Sequence, residues 1–364
     1  MKLRTIVITV AILAALSVVA HYVNRPEPAP SPDPRVGTVL LDPDTVAKAA
    51  SIVVSDKGKS AELDRNADGS WRVTNYFGLP ADTEKISRLV QDLNEAKVDR
   101  FVTANPDRLA HLEFNDSSIV LKDAAGKEIW RLTLGKASES GNGRFIRFGD
   151  DSKAFYSGLH VWLDTDPKGW ADTQLVPVKP EDVARIEVPF DGGAPVEVIR
   201  AKKDAPWSAE GTPAAGKLDE SKVSSLLTSI TSLRFTDTIE PKDALAAEAA
   251  GHARTFKLTT FDGKTYTVTL GRKPEGKKLK TPVSDAKEGL ASLGKLTDVK
   301  EDTKPMTPEF ETIPAGPVFA NVASPDPHAP INEFMTLRAF EVDDYVFTGL
   351  PQKPDELFEA AKPK

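Results

Sequence analysis

The chain has 364 residues, 28% of them charged and 40% hydrophobic, with a net charge of −7. This is the composition of a globular protein, and the acidic balance argues against a nucleic-acid partner, which calls for a basic face. There is no cysteine, which excludes disulfides, thiolate metal sites, a cysteine nucleophile and a lipidated N-terminal Cys.

At the N-terminus Lys2 and Arg4 precede an uncharged, mostly apolar run. Ile6 to Val23 is 18 residues, about 27 Å as a helix, against a hydrocarbon core of about 30 Å. The spacing predicts a transmembrane helix over residues 1–24. The positive charges hold its start in the cytoplasm and leave the rest outside the inner membrane, as a single-pass protein with a periplasmic body. The alternative is a signal peptide cleaved after Val18-Val19-Ala20. Tyr22 suits a membrane interface and favours the anchor, and either reading exports the body. Pro26, Pro28, Pro30, Pro32 and Pro34 then fall at every second position. That density favours extended, unpacked backbone, so residues 25–40 read as a stalk.

Beyond the stalk the chain repeats itself. Asp82 is a good helix N-cap, followed by an apolar stripe of Ile86, Leu89, Val90 and Leu93. Asp219 precedes Val223, Leu226, Leu227 and Ile230 in the same pattern, 137 positions later. The stripes at i, i+3, i+4 and i+7 predict amphipathic helices. Trp71 matches Trp207 at a shift of 136, Arg65 matches Arg200 at 135, and Arg100-Phe101 recurs as Arg234-Phe235 at 134. The alternating segments 119–136 and 256–273 turn at Gly126 and Gly263, again 137 apart, which is a hairpin signal. The expected fold class is α+β: two tandem related modules, each an antiparallel sheet with a helix packed on one face. The first module is assigned to 41–178 and the second to 179–350. An insertion at about 273–333 interrupts the second, and 351–364 forms a C-terminal tail. Trp71 and Trp207 are expected in the core beneath the helices. Residues 316–330, with four prolines, read as mostly irregular, and the segments around 334–340 and 344–351 as elements that complete the second sheet.

Asp64, Asn66, Asp68 and Gly69 are spaced like the start of a calcium loop. Position 12 is Asn75 rather than an acidic bidentate ligand, the flanks alternate like strands, and the second copy has Arg200-Ala-Lys-Lys-Asp there. The reading is a hairpin turn. Lys277 to Lys280 are basic, but Glu275, Asp285 and Glu288 surround them, as in a solvated insertion. His21, His111, His160, His252 and His328 form no H-x-x-x-H or H-E-x-x-H, and there is no G-x-S-x-G or Walker loop. No catalytic, cofactor-binding or metal-ligating residue is therefore named, and no cofactor is expected. Trp71, Trp207, Asp82, Asp219, Gly126 and Gly263 are named as structural repeat markers.

The succession of a Trp strand, a capped helix, hairpins bearing Leu-Thr-Leu-Gly (132–135) or Val-Thr-Leu-Gly (268–271), and Leu-Val-Pro-Val-Lys-Pro-Glu-Asp-Val-Ala-Arg-Ile-Glu-Val (175–188) resembles the DUF4340 family. The resemblance runs roughly from Thr45 to Pro351, and it lacks the Gly-Leu pair that the family often has before the central hairpin. It implies a membrane segment, an extracytoplasmic α+β body often built of repeats, and an accessory role beside ABC-type export or gliding-associated membrane systems. It carries no catalytic residues. The expected function is a membrane-tethered, non-enzymatic accessory or scaffold protein of an envelope complex, with an envelope protein as partner. The alternative is a glycan- or small-ligand-binding envelope protein, and the third reading is a hydrolase with a site assembled from distant residues.

Overall fold

A computed structural model describes residues 33–139, 141–210, 217–279 and 310–359. The expected anchor at 1–24, the proline run up to Pro32 and the end of the tail lie outside these residues. No helix among the described residues is long and apolar enough to cross a membrane. The chain divides into two compact units between Asp172 and Thr173. The fold is α+β with antiparallel sheets.

The first unit begins with helix α1 (Pro43–Lys48), capped by Asp42. Strands β1 (Ser51–Asp56), β2 (Lys59–Arg65), β3 (Trp71–Val73) and β4 (Leu79–Pro80) follow. Helix α2 (Thr83–Glu95) leads to β5 (Arg100–Thr103) and helix α3 (Pro106–Ala110). Strands β6 (Ser118–Lys122), β7 (Glu128–Ala137), β8 (Arg144–Phe148) and β9 (Ala154–Ser157) complete the sheet, in the order β4-β3-β2-β1-β6-β7-β8-β9-β5. Helix α2 thus leaves one edge and delivers the chain to the other, and its stripe of Ile86, Leu89 and Leu93 is buried. The sheet's buried face is a cross-strand row of Ala61, Val54, Ile119 and Leu132, with Leu63, Ile52 and Leu121 in the next row. Residues 33–40, assigned to the stalk by their prolines, lie against this unit. Leu40 is buried, Trp130 donates its indole N–H to the Leu40 carbonyl at 3.1 Å, and Arg35 pairs with Asp151 and Lys153 with Asp33. Apolar Leu40 and two charges of opposite sign, Asp33 and Arg35, give this stretch something to dock with.

The second unit contains strands β10 (Val183–Val188), β11 (Val196–Ile199) and β12 (Ser208–Glu210), then helix α4 (Glu220–Thr231), β13 (Phe235–Ile239) and helix α5 (Ala244–Ala250). Strands β14 (Ala253–Thr260) and β15 (Thr265–Arg272) form the central hairpin. A separate two-stranded ladder, β16 (Gly276–Leu279) with β17 (Phe310–Ile313), precedes β18 (Val318–Ala323), helix α6 (Pro330–Leu337), β19 (Ala339–Val342) and helix α7 (Asp344–Thr348). The sheet order is β12-β11-β10-β14-β15-β18-β19-β13. Three expectations change here. The proline-bearing stretch 316–330 contributes β18, whose Val318, Phe319, Ala320 and Val322 are buried beside β15. Residues 334–337 are helical, so only Ala339–Val342 joins the sheet from that segment, and 344–348 is a helix. The apolar run of β18 outweighs the flanking prolines because β15 offers it a partner edge. The unit boundary falls before 178/179 because the Leu175 amide donates to the Leu233 carbonyl and the Phe235 amide to the Thr173 carbonyl, tying 173–175 to the second unit.

The two long helices are capped alike. The Asp82 carboxylate accepts from the amides of Glu84 and Lys85, and that of Asp219 from those of Ser221 and Lys222. The Ser221 hydroxyl hydrogen bond, with the two amides, holds the Asp219 carboxyl below its ordinary value. The cap residues are pinned in turn: the Asp82 amide donates to the Trp170 carbonyl and the Asp219 amide to the Leu357 carbonyl. Glycine is required for space at two points. A Cβ on Gly135 would lie 2.5 Å from the Leu112 carbonyl oxygen, and one on Gly271 would lie 2.5 Å from that of Ala249. The turn that precedes each central hairpin rests directly on its second strand.

Two outcomes follow for stability. Gly135→Ala and Gly271→Ala should each cost about 1–3 kcal/mol or more, because backbone must move, whereas Gly126→Ala, in open space at φ 76°, should cost about 1 kcal/mol. Denaturant titration of the three variants gives the ranking. Asp82→Ala and Asp219→Ala should each lower the melting temperature by about 2–4 °C, and Asp→Asn at either position should restore most of it. A thermal melt in which Asn is as harmful as Ala contradicts the cap role.

Candidate functional site

The repeat markers fall on framework positions. Gly126 and Gly263 sit at the tips of the central hairpins with φ of 76° and 85°, each donating its amide three residues back, to Asp123 and Thr260. Beside Gly263, hydrogen bonds from Thr260 and then Lys264 hold the Asp262 carboxyl down to about 2. Trp71 opens β3 opposite Arg65, and Trp207 stands one step beyond the last pair of β11 and β12. Trp207 is buried, with the Arg200 guanidinium 4.4 Å from its ring centre. Trp71 is only half-buried, so of the two tryptophans Trp207 alone is buried. The stretch 64–71 is the β2–β3 hairpin. The Asp68 carboxylate accepts from the amide and hydroxyl of Ser70, and Gly69 takes φ 88°. Among the described residues no group of three or more His, Cys, Asp or Glu side chains is placed to hold a metal ion.

The most developed polar site lies on the face of the first sheet opposite the buried row of Ala61, Val54, Ile119 and Leu132, and sequence reasoning named none of its residues as a site. Strand register builds it. Ser60 pairs with Ser55, Ser55 with Ser118, Ser118 with Thr133, and Thr133 with Arg147. Directly paired residues share a face, so five strands present one row of three serines, a threonine and an arginine. The row floors an open cleft of about 520 Å³. Gly58 and Lys59 of the β1–β2 turn and Phe114, Asn115 and Asp116, which follow helix α3, also line it. Glu113 holds φ 56°, a left-handed conformation costly for a side chain with a Cβ, immediately before Phe114.

The cleft's charge is concentrated on two guanidiniums. Arg131 is held by Glu128, its Nε at 3.0 Å from both carboxylate oxygens, and this hydrogen bonding raises its pKa further. Arg147 has no carboxylate partner among the described residues. Its guanidinium stands 5.3 Å from the centre of the Phe114 ring, and its Nε is buried without a hydrogen-bond partner. None of the side-chain hydroxyls of Ser55, Ser60, Ser118 and Thr133 is hydrogen-bonded to another protein group among the described residues. In the second unit the matching row, aligned on Thr133-Leu-Gly and Thr269-Leu-Gly, is Thr255, Thr269 and Asn321. There the two threonine hydroxyls bond each other at 3.2 Å and no guanidinium stands in the row. The arginines are thus not a requirement of this strand arrangement.

A second feature is hydrophobic. Trp162, in the loop after β9, is 89% exposed, whereas Trp170, eight residues on, is buried with its indole N–H on the Asp164 carbonyl at 2.7 Å. Loop position alone gave no sequence signal to separate the two.

An unpaired, partly buried guanidinium contributes little to stability. Arg147→Met should therefore change unfolding free energy by no more than about 1 kcal/mol in either direction. A loss well beyond that, in urea titration of the full chain, shows Arg147 to be structural.

No curated protein and no solved structure matches the chain. The family described as "Domain of unknown function (DUF4340)" matches residues 71–252, half of the chain, from the start of β3 to just beyond helix α5. The match takes in both capped helices and the first Thr-Leu-Gly hairpin and ends before the second, and the chain belongs to the DUF4340 family.

Proposed function

We propose that this chain is a membrane-tethered, extracytoplasmic, non-enzymatic module that acts as an accessory or scaffold protein of an envelope complex. The observation that carries the reading is Trp162. A tryptophan left 89% exposed gives up a large burial free energy in the free protein, and tryptophan is among the residues that dominate protein–protein hot spots. The apolar N-terminal run supports the tether, and the local sequence motifs of hydrolases and zinc enzymes are missing from the chain. The family resemblance points to an ABC-type membrane complex as the partner class.

We further infer that the two units descend from one duplicated block. The support is their connectivity: β3-β2-β1-β6-β7-β8-β9-β5 and β12-β11-β10-β14-β15-β18-β19-β13 are the same path numbered twice. Helix caps, return-segment carbonyls and hairpin glycines recur at matching places along that path. A duplicated scaffold keeps one copy's fold while freeing surfaces of the other to diverge, as the two rows of polar residues have done.

The reading is tested by placing a photo-activated crosslinking amino acid at position 162 in the full chain in cells, with the same group at Leu245, 48% exposed in the second unit, as control. A discrete adduct with an envelope protein at 162 and not at 245 is expected, and Trp162→Ala should reduce co-purification of that protein at least tenfold. Equal, diffuse labelling at both positions sinks the proposal.

A further inference from the structure

We propose that the cleft on the first sheet binds an acidic saccharide, its carboxylate or phosphate seated on Arg147 and its hydroxyls along the row Thr133, Ser118, Ser55 and Ser60. This goes beyond the tethered-scaffold reading and does not rest on it.

Three observations combine. Arg147 brings a guanidinium whose Nε is buried and unpartnered. A planar fork with free N–H groups fits a carboxylate or phosphate oxygen pair, and a buried donor without a partner is costly unless something supplies one. The four hydroxyls that continue the row are each both donor and acceptor, and none is taken by the protein among the described residues. Sugar hydroxyls have the same dual character. At about 4.8 Å between strands, the row from Ser60 to Arg147 extends about 19 Å, longer than a bare phosphate can use and matched by two or three sugar rings. The volume of about 520 Å³ accepts a ligand of that size.

Charge agrees with the assignment. The lining includes Lys59, Arg131 and Arg147 against Asp116, a local positive balance within a chain of net charge −7. Glu128 already occupies Arg131, so Arg147 is the guanidinium left to meet an incoming anion. The second unit serves as an internal comparison. Its equivalent row ends in Asn321 and its threonines are bonded to each other, so the same strand arrangement there lacks the anion-binding end.

The experiment is titration calorimetry on the full chain, held in buffer free of sugar-based detergents, with digalacturonate, glucose 6-phosphate, neutral maltose and inorganic phosphate as probes. At least one acidic sugar should bind at least tenfold more tightly than maltose, and which one binds distinguishes carboxylate from phosphate. Arg147→Gln should weaken that binding about tenfold or more, and Arg147→Lys, which keeps the charge and loses the fork, should fall between. Thermal melts check that both variants fold, and the lysine variant carries the test if the glutamine variant does not. Binding of maltose or of inorganic phosphate as tight as that of the acidic sugar that binds best, no acidic sugar bound, or an affinity indifferent to Arg147→Gln each overturns the proposal.

Discussion

In the first unit Ala61, Val54, Ile119 and Leu132 face one another across four strands and are sealed from water. Side chains alternate along a strand, so their immediate neighbours Ser60, Ser55, Ser118 and Thr133 are driven together to the opposite face. The polar row is therefore locked to the core register. A slip of one residue would expose the apolar row and bury the hydroxyls, at a cost of several buried side chains. This coupling lets the sheet hold five polar side chains in line.

The same logic governs the helices. Each long helix joins one edge of its sheet to the other, and its apolar stripe is buried. The cap aspartates do two jobs there. The carboxylate ends the helix, and the backbone amide of the same residue ties the helix start to a returning segment at Trp170 or Leu357. Lys85 and Lys222 reinforce these ties: Lys85 donates to the Gly169 carbonyl at 2.7 Å and Lys222 to the Phe358 carbonyl at 2.9 Å. The glycines at 135 and 271 let a helical turn rest on the central hairpin. In the first unit that turn carries Phe114 to the cleft, so a packing constraint on one strand positions part of the lining of the candidate site.

Much of this framework was legible along the chain. The hairpins at Gly126 and Gly263 and the helices after Asp82 and Asp219 depend on neighbours within four residues, and they stand where their local patterns place them. The candidate site was not legible. Ser55, Ser118, Thr133 and Arg147 are ordinary strand residues in sequence, and only pairing across β1, β6, β7 and β8 makes them a row. Strand β18 was hidden for a related reason. The 45 residues between Arg272 and Val318 separate it from its partner β15, and prolines flank its short apolar run.

By itself, then, the sequence determined the class of fold, the capped helices, the hairpin turns and the family, because each rests on short-range periodicity or on a residue type suited to one backbone state. Tertiary structure alone decided which strands are neighbours, why Gly135 and Gly271 cannot carry a side chain, how Trp162 differs from Trp170, and that Arg147 ends a line of uncommitted hydroxyls. Those features are set by contacts between residues far apart in the chain, and strand register, a property of pairs of strands, is what brings them together.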